Sequence, residues 1–303
     1  MTPNLNNLPA PTVIDSIDFE AVLAERKTEF LSLIPAELRE DVARTLSFEG
    51  DPINIILQDS VYAEIQNRQS ANEAHLAALL ASAVGDDLDQ CAANLGTYRL
   101  TIRPEDTRTV PPTPAVLEAD ENLRLRAQNS FERLTTAGSK GAWLFHAQSA
   151  SGLVRDAAYL SPEPCESVIV LLSHEEETGV ASAALIKTVY DYLSDDFRLP
   201  QNDLLTVKSA EIIDYTINVQ LKTTRGPEAE LIRAAALKAL SNYAQTQNKI
   251  GRDVTLFALI GAAKVEGVSD GRILEPLSNL TIKDDQCARC VGITVSVDVI
   301  AGE

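Results

Sequence analysis

Cys287-x-x-Cys290 has the spacing that serves both zinc and dithiol chemistry. Zinc would need two more ligands, and the remaining candidates, Cys91, Cys165, His75, His146 and His174, nowhere stand at ligand spacing. A redox pair works at a helix start after a strand. This pair is expected in a loop leading into the last strand, so both residues read as plain loop cysteines. His174-Glu-Glu-Glu-Thr178 begins like the helix of a zinc protease, but Thr178 stands where the second histidine is required, and the run reads as a solvated turn. His146 reads as a partly buried helix residue with its ring hydrogen-bonded. The pairs Asp86-Asp87, Asp195-Asp196 and Asp284-Asp285 fall at expected turns and helix ends, where carboxylates cap free N–H groups. Gly138-Ser-Lys-Gly141 lacks the longer glycine-to-lysine spacing that wraps phosphates and reads as a flexible turn. No catalytic residue, cofactor-binding residue, metal ligand or cofactor is assigned. A metal-dependent hydrolase using the acidic turns or the cysteine pair stays open as the rival class.

The 303 residues carry 26 Lys and Arg against 44 Asp and Glu, a net charge of −18. That field repels nucleic-acid phosphates and anionic membrane surfaces, so neither nucleic acid nor membrane is expected as a partner. No basic segment followed by an apolar core opens the chain, and no run approaches the roughly 18 apolar residues of a membrane span. A soluble cytoplasmic chain with reduced cysteines is expected. At about 100 to 200 residues per domain, its length suggests two or three domains.

The elements that would position any site begin after residues 1–16, whose Pro3, Pro9 and Pro11 favour an extended arm. Helices are predicted from Asp18 to Leu33, stopped by Pro35, and from Asp51-Pro52, an N-cap followed by proline at the first helical position. On the second, Ile53, Leu57, Val61 and Ile65 recur every four residues with Ile56 beside them, a single apolar stripe on a polar helix. The Ala-rich run to Val84 is expected to continue as helix with Gly85 past its end, and a short helix follows to Gly96. A thin helical layer of this kind has little core of its own and wants a partner. Prolines 104, 111, 112 and 114 mark a linker.

Beyond it the chain contains one pattern twice. Leu144-Phe145 is echoed by Leu256-Phe257, and Val154, Asp156, Leu160 and Pro162 by Val268, Asp270, Leu274 and Pro276. Each copy runs from a small-residue helix through a Val-x-Asp turn into a strand stopped by proline. Val168–Leu172 is predicted as a strand covered on both faces. Ile213–Lys222 and Ile293–Val299 alternate apolar and polar, as half-buried strands do. The fold class is α+β and multi-domain: an N-terminal helical domain, then a duplicated α/β unit with small mixed sheets and helices. The expected boundaries are an arm at 1–16, a helical partner-binding domain at 17–100, a Pro-rich linker at 101–115, and repeats at 116–225 and 226–303.

In order and separation, Glu49-Gly-Asp-Pro-Ile-Asn-Ile-Ile-Leu-Gln58, Ala83-Val-Gly-Asp-Asp-Leu-Asp89, Thr136-Ala-Gly-Ser139 with Phe145-His-Ala147, and Val265-Glu-Gly-Val268 with Leu274-Glu-Pro276 resemble the baseplate J-like family of contractile-tailed bacteriophages, prophages and tailocins. The likeness spans nearly the whole chain. One departure is Pro164-Cys-Glu166, where members of the family tend to have a Pro-Gly turn. The resemblance implies a structural wedge protein with no enzymatic activity, paired within a wedge and joining wedges into a sixfold ring around the tail tube. It further implies that the N-terminal helices, with Ile53, Ile56, Leu57, Val61 and Ile65 in or beside the bundle core, join another wedge protein. Other implied neighbours are further copies of the chain and sheath- or tube-proximal baseplate proteins. The implied location is the bacterial host cytoplasm during assembly and then the tail baseplate of a virion or tailocin, with contacts that exchange on contraction. A generic dimeric scaffold unrelated to tails is the remaining alternative.

Overall fold

The computed structural model describes Leu5, Leu8 and residues 18–135, 138–223 and 229–299. The arm expected over 1–16 lies, but for those two leucines, outside the described residues. The chain divides into two compact units, Met1–Tyr98 and Arg99–Glu303.

Aspartate caps open both main helices of the first unit. Asp18 accepts from the backbone N–H of Glu20 and Ala21 at the head of α1 (Phe19–Leu33), and Asp51 accepts from Ile53 N–H at the head of α3 (Pro52–Ala77), with Pro52 at the first helical position. The short α2 (Arg39–Thr45) lies between them in the chain. Val22 and Leu23 of α1 pack with Leu46 and with Leu57 and Val61 of α3, which gives the pair a small core of its own. The helix predicted to run on to Val84 stops at Ala77, and turns carry the chain to α4 (Gly85–Asn94), where Leu88 and Ala92 are fully buried. Gly85 has φ +54 and stands at the start of α4 rather than past the end of α3.

In the second unit the prolines of 101–115 sit within a small ribbon. β1 (Thr101–Arg103) pairs antiparallel with β2 (Val116–Leu117), and Asp106 and Thr113 exchange backbone hydrogen bonds. The ribbon is set close on its neighbour, since a Cβ on Gly152 would meet the Thr101 carbonyl oxygen at 2.4 Å. After α5 (Asp120–Gln128) and a single 3-10 stretch to Leu134, α6 (Lys140–Ala150) leads into β3 (Val154–Leu160) and β4 (Glu166–Ser173), an antiparallel pair. α7 (Ala183–Leu193) then crosses over to β5 (Leu204–Ser209), parallel to β4. Ile169 and Leu171 face Trp143 and Ala147 of α6 and Leu185, Val189 and Leu193 of α7. Val170 and Leu172 face the other way, toward Ala210 and Cys287, so β4 is covered on both faces as its unbroken apolar run predicts.

The second sheet has the order β7-β6-β8 and the same strand senses as the first. Its central strand β6 (Glu211–Thr223) is antiparallel to β7 (Asp270–Glu275) and parallel to β8 (Gln286–Val299), and α8 (Ala229–Gln247) and α9 (Leu256–Ala263) supply Ile232, Ala236, Leu240 and Leu259 to its core. The strand at 211–223, expected in the first repeat with a boundary at 225/226, therefore belongs to the second sheet. It gets there without a loop. β5 ends at Ser209 and β6 begins at Glu211, and Ala210 N–H donates to Leu171 of one sheet while Glu211 N–H donates to Asp285 beside the other. The expected Val-x-Asp turn differs between the copies. Val154 and Asp156 lie in β3, across a register shift, while Val268 precedes β7 and Asp270 begins it.

Candidate functional site

The apolar stripe of α3 splits on folding. Leu57 and Val61 are buried against α1, and Ile65 packs at the edge of that core. Ile53 and Ile56 remain on the surface, Ile56 at 67% exposure. Two residues beyond the stripe join them: Ile55 and Tyr62, seven positions apart and so on one helix face, are 51% and 57% exposed. The Tyr62 ring lies 4.8 Å from that of Phe19. Reading only the four-residue repeat hides this second face; the i, i+7 pairing of Ile55 with Tyr62 is the pattern that exposes it. The helical unit thus closes its own core and still presents apolar surface.

The residues singled out for chemistry are scattered by the fold. Cys287 and Cys290 lie inside β8, not in a loop before it, because the backbone of Gln286–Val299 pairs with β6 along its length. Cys287 belongs to the cluster between the sheets and Cys290 packs on the helix-covered core, so the two thiols point to opposite faces. Burial pushes the Cys287 thiol up to about 11. His146 is half-buried on α6 with Nδ1 enclosed and unpartnered, and desolvation, with Arg198 near, holds it below the usual histidine range. Glu175 ties the turn after β4, accepting from Ser182 N–H and Oγ. Asp86 and Asp87 lie in the first turn of α4, Asp195 accepts from Phe197 N–H, and Asp285 pairs with Lys208 at 2.8 Å. Gly138 (φ +67) and Ser139 precede α6, with Ser139 its N-cap. Among the described residues no group of three or more His, Cys, Asp or Glu comes together to hold a metal ion. No described helix is long and apolar enough to cross a membrane.

A polar cleft of about 180 Å³ opens in the second unit, walled by α5, β3 and the end of α8. On one side Arg126 grips Glu118 with two bonds, Nε to Oε1 at 2.8 Å and Nη2 to Oε2 at 2.7 Å, and both side chains are buried. On the other, Arg155 Nη2 donates to Asn248 Oδ1 at 2.9 Å, and the Cys287 thiol donates to the same oxygen at 3.1 Å. Asp156 accepts from Ile250 N–H at 3.0 Å, and its burial raises its carboxyl above the usual range. These bonds tie β3 to the segment after α8 and so fix one sheet layer against the other. None of this cluster was legible in sequence, because 93 positions separate Arg155 from Asn248.

Two parts of the chain match known families. Residues 49–106, α3 through β1 and the turn beyond it, match the family described as Baseplate J-like N-terminal domain. Residues 215–296, most of the second sheet with its helices, match the Baseplate J-like protein C-terminal domain. Baseplate protein J of Escherichia phage P2 is 45% identical over 287 residues, 95% of each chain. The chain belongs to the baseplate J-like family. Among solved structures, the six-fold symmetrised baseplate of the anti-feeding prophage is similar at a TM-score of 0.43 and 12% identity, over 59% of this chain and 43% of that one, so the match spans less than half of that structure's chain.

Proposed function

We propose that this protein is a structural component of a contractile-tail baseplate wedge, present as paired copies that join neighbouring wedges into a ring around the tail tube. The observation that supports it best is the 45% identity to phage P2 baseplate protein J, which runs over 95% of both chains. The exposed apolar face of α3 fits the same reading. Ile55, Ile56 and Tyr62 leave apolar surface exposed beside the closed core, and such a face is suited to helices of another wedge protein.

In this reading function resides in interfaces, each of which should bury at least about 1,000 Å² in total. The α/β unit contacts other copies, sheath- or tube-proximal proteins sit nearby, and the contacts exchange when the sheath contracts. Electron micrographs of tail particles made with and without the gene test the role directly. Loss of baseplates, restored by the wild-type gene, is the expected result, and intact baseplates in its absence would overturn the proposal. The helical face has a separate test. Ile56→Asp should leave the purified chain folded, with stability changed by less than about 0.5 kcal/mol, yet abolish co-purification with the neighbouring wedge protein. Val61→Ala should instead cost roughly 2 kcal/mol of stability. If Ile56→Asp co-purified as well as wild type, α3 would not be the docking helix.

A further inference from the structure

Several other arginines of the second unit that leave the solvent are matched with a carboxylate: Arg126 with Glu118 at 2.7 Å, Arg99 with Asp120 at 2.8 Å, and Arg289 with Asp214 at 2.7 Å. Arg155 differs. Its side chain is half-buried, its Nη2 is spent on the neutral amide of Asn248, and its Nε is enclosed with no acceptor. Among the described residues no carboxylate stands within ion-pair distance of it. Of the two acids on the cleft, Glu118 has both oxygens on Arg126, and Asp156 turns one oxygen to Ile250 N–H. Lys249 and His174 border the same space. Asp156 and the Cys287 sulfur lie near enough to favour its charge, yet neither forms an ion pair with it, and a partly desolvated guanidinium with an enclosed, unused N–H is costly.

We infer that the cleft between β3 and the end of α8 binds one oxyanion group, a carboxylate or a phosphate, through Arg155, with Lys249 adding positive charge at its rim. The inference is independent of the assembly reading. Size narrows the class, since about 180 Å³ admits inorganic phosphate or the end of an acidic side chain but falls below the several hundred cubic ångströms of a site for a larger ligand. The guanidinium supplies the charge-assisted hydrogen bonds that such groups take. An anion there would bridge β3 and the α8 end, the two layers already linked through Asn248.

Thermal unfolding of the full chain in rising sodium phosphate, and separately in rising N-acetylglutamate amide, each against sodium chloride at matched ionic strength, tests the inference. The expected result is a saturable rise in Tm beyond that in chloride for at least one of the two. A response to phosphate alone assigns the site to a free ion, and a response to the carboxylate assigns it to an acidic side chain of a partner. Arg155→Gln should abolish the anion-dependent increment whatever it does to the starting Tm. Asp156→Asn removes an acidic group from the lining of the same cleft and should lower the half-saturating concentration by about tenfold. This second variant keeps the test decisive if Arg155→Gln does not fold. No increment with either anion, an increment that survives Arg155→Gln, or an Asp156→Asn protein that needs as much anion as wild type would each overturn the inference.

Discussion

At the scale of single residues, two positions carry consequences that solution work can read. Glu118 and Arg126 form a buried, doubly hydrogen-bonded pair, with side-chain exposures of 8% and 6%. A pair of this kind is expensive to break from one side, because the survivor is a buried charge without its partner. Arg126→Met should cost about 3 to 5 kcal/mol, whereas the double variant Glu118→Met with Arg126→Met should recover most of that loss, and urea unfolding of the three proteins measures the difference. Cys165 follows Pro164 with φ +61, the left-handed backbone that glycine adopts freely and an L side chain does not. The departure from a Pro-Gly turn visible in the sequence is therefore one of side chain only, since the backbone keeps the glycine conformation. Cys165→Gly should raise stability by about 0.5 to 1 kcal/mol, the relieved strain less the extra freedom of glycine in the unfolded chain, and a rise in urea midpoint checks it.

At the scale of elements, what could be read in advance divides along the range of the interactions. The cap at Asp51, the doubly covered β4 and the alternating β6 follow from contacts within a few residues or from the two-residue and 3.6-residue periods, and each is found where the pattern put it. What escaped is pairing at a distance. The sequence marks Ile213–Lys222 as a strand but says nothing of its partners, and a parallel pairing with β8, 75 positions away, depends on the whole intervening chain. The cysteine pair was misplaced for the same reason: Gln286–Val291 looks irregular alone and becomes strand because Glu211–Thr216 lies beside it. Direct passage of β5 into β6 makes Ala210 the joint between the two sheets, buried and bonded to Leu171. Ala210→Pro deletes that N–H and should cost about 3 kcal/mol, and hydrogen exchange should show the loss centred on β4 and β5. Protection lost equally across α8 and α9 would mean that the two sheets do not unfold separately.

At the scale of the whole chain, titration couples distant parts to one stability curve. Hydrogen bonding to Arg26 and Arg68 holds Glu64 below the usual carboxylate range, and the hydrogen bonds from Arg289, Lys222 and Lys208 do the same for Asp214, Asp270 and Asp285. Burial depresses His146 and His174. A group whose folded pKa is depressed contributes stability that is present above its unfolded value and lost as pH falls through the folded one. The histidines should therefore begin a shallow decline as pH drops below the ordinary value of 6.5, and the carboxylates a steeper one below their ordinary 3.8 to 4.5. Asp156 has the opposite sign. Burial raises its pKa, so its contribution is full below 3.8 and is lost as pH rises through the folded value. Self-repulsion of the −18 charge also relaxes on acidification, and working at about 0.15 M salt, where the screening length is about 8 Å, keeps that effect small. Urea midpoints measured from pH 8 to pH 3 should then fall in two stages. In Asp156→Asn the group that favours the acid side is gone, so the midpoint should stand at or above wild type at neutral pH and fall more steeply below it. A variant curve parallel to wild type throughout would mean that the Asp156 carboxyl titrates in the folded chain as it does in the unfolded one.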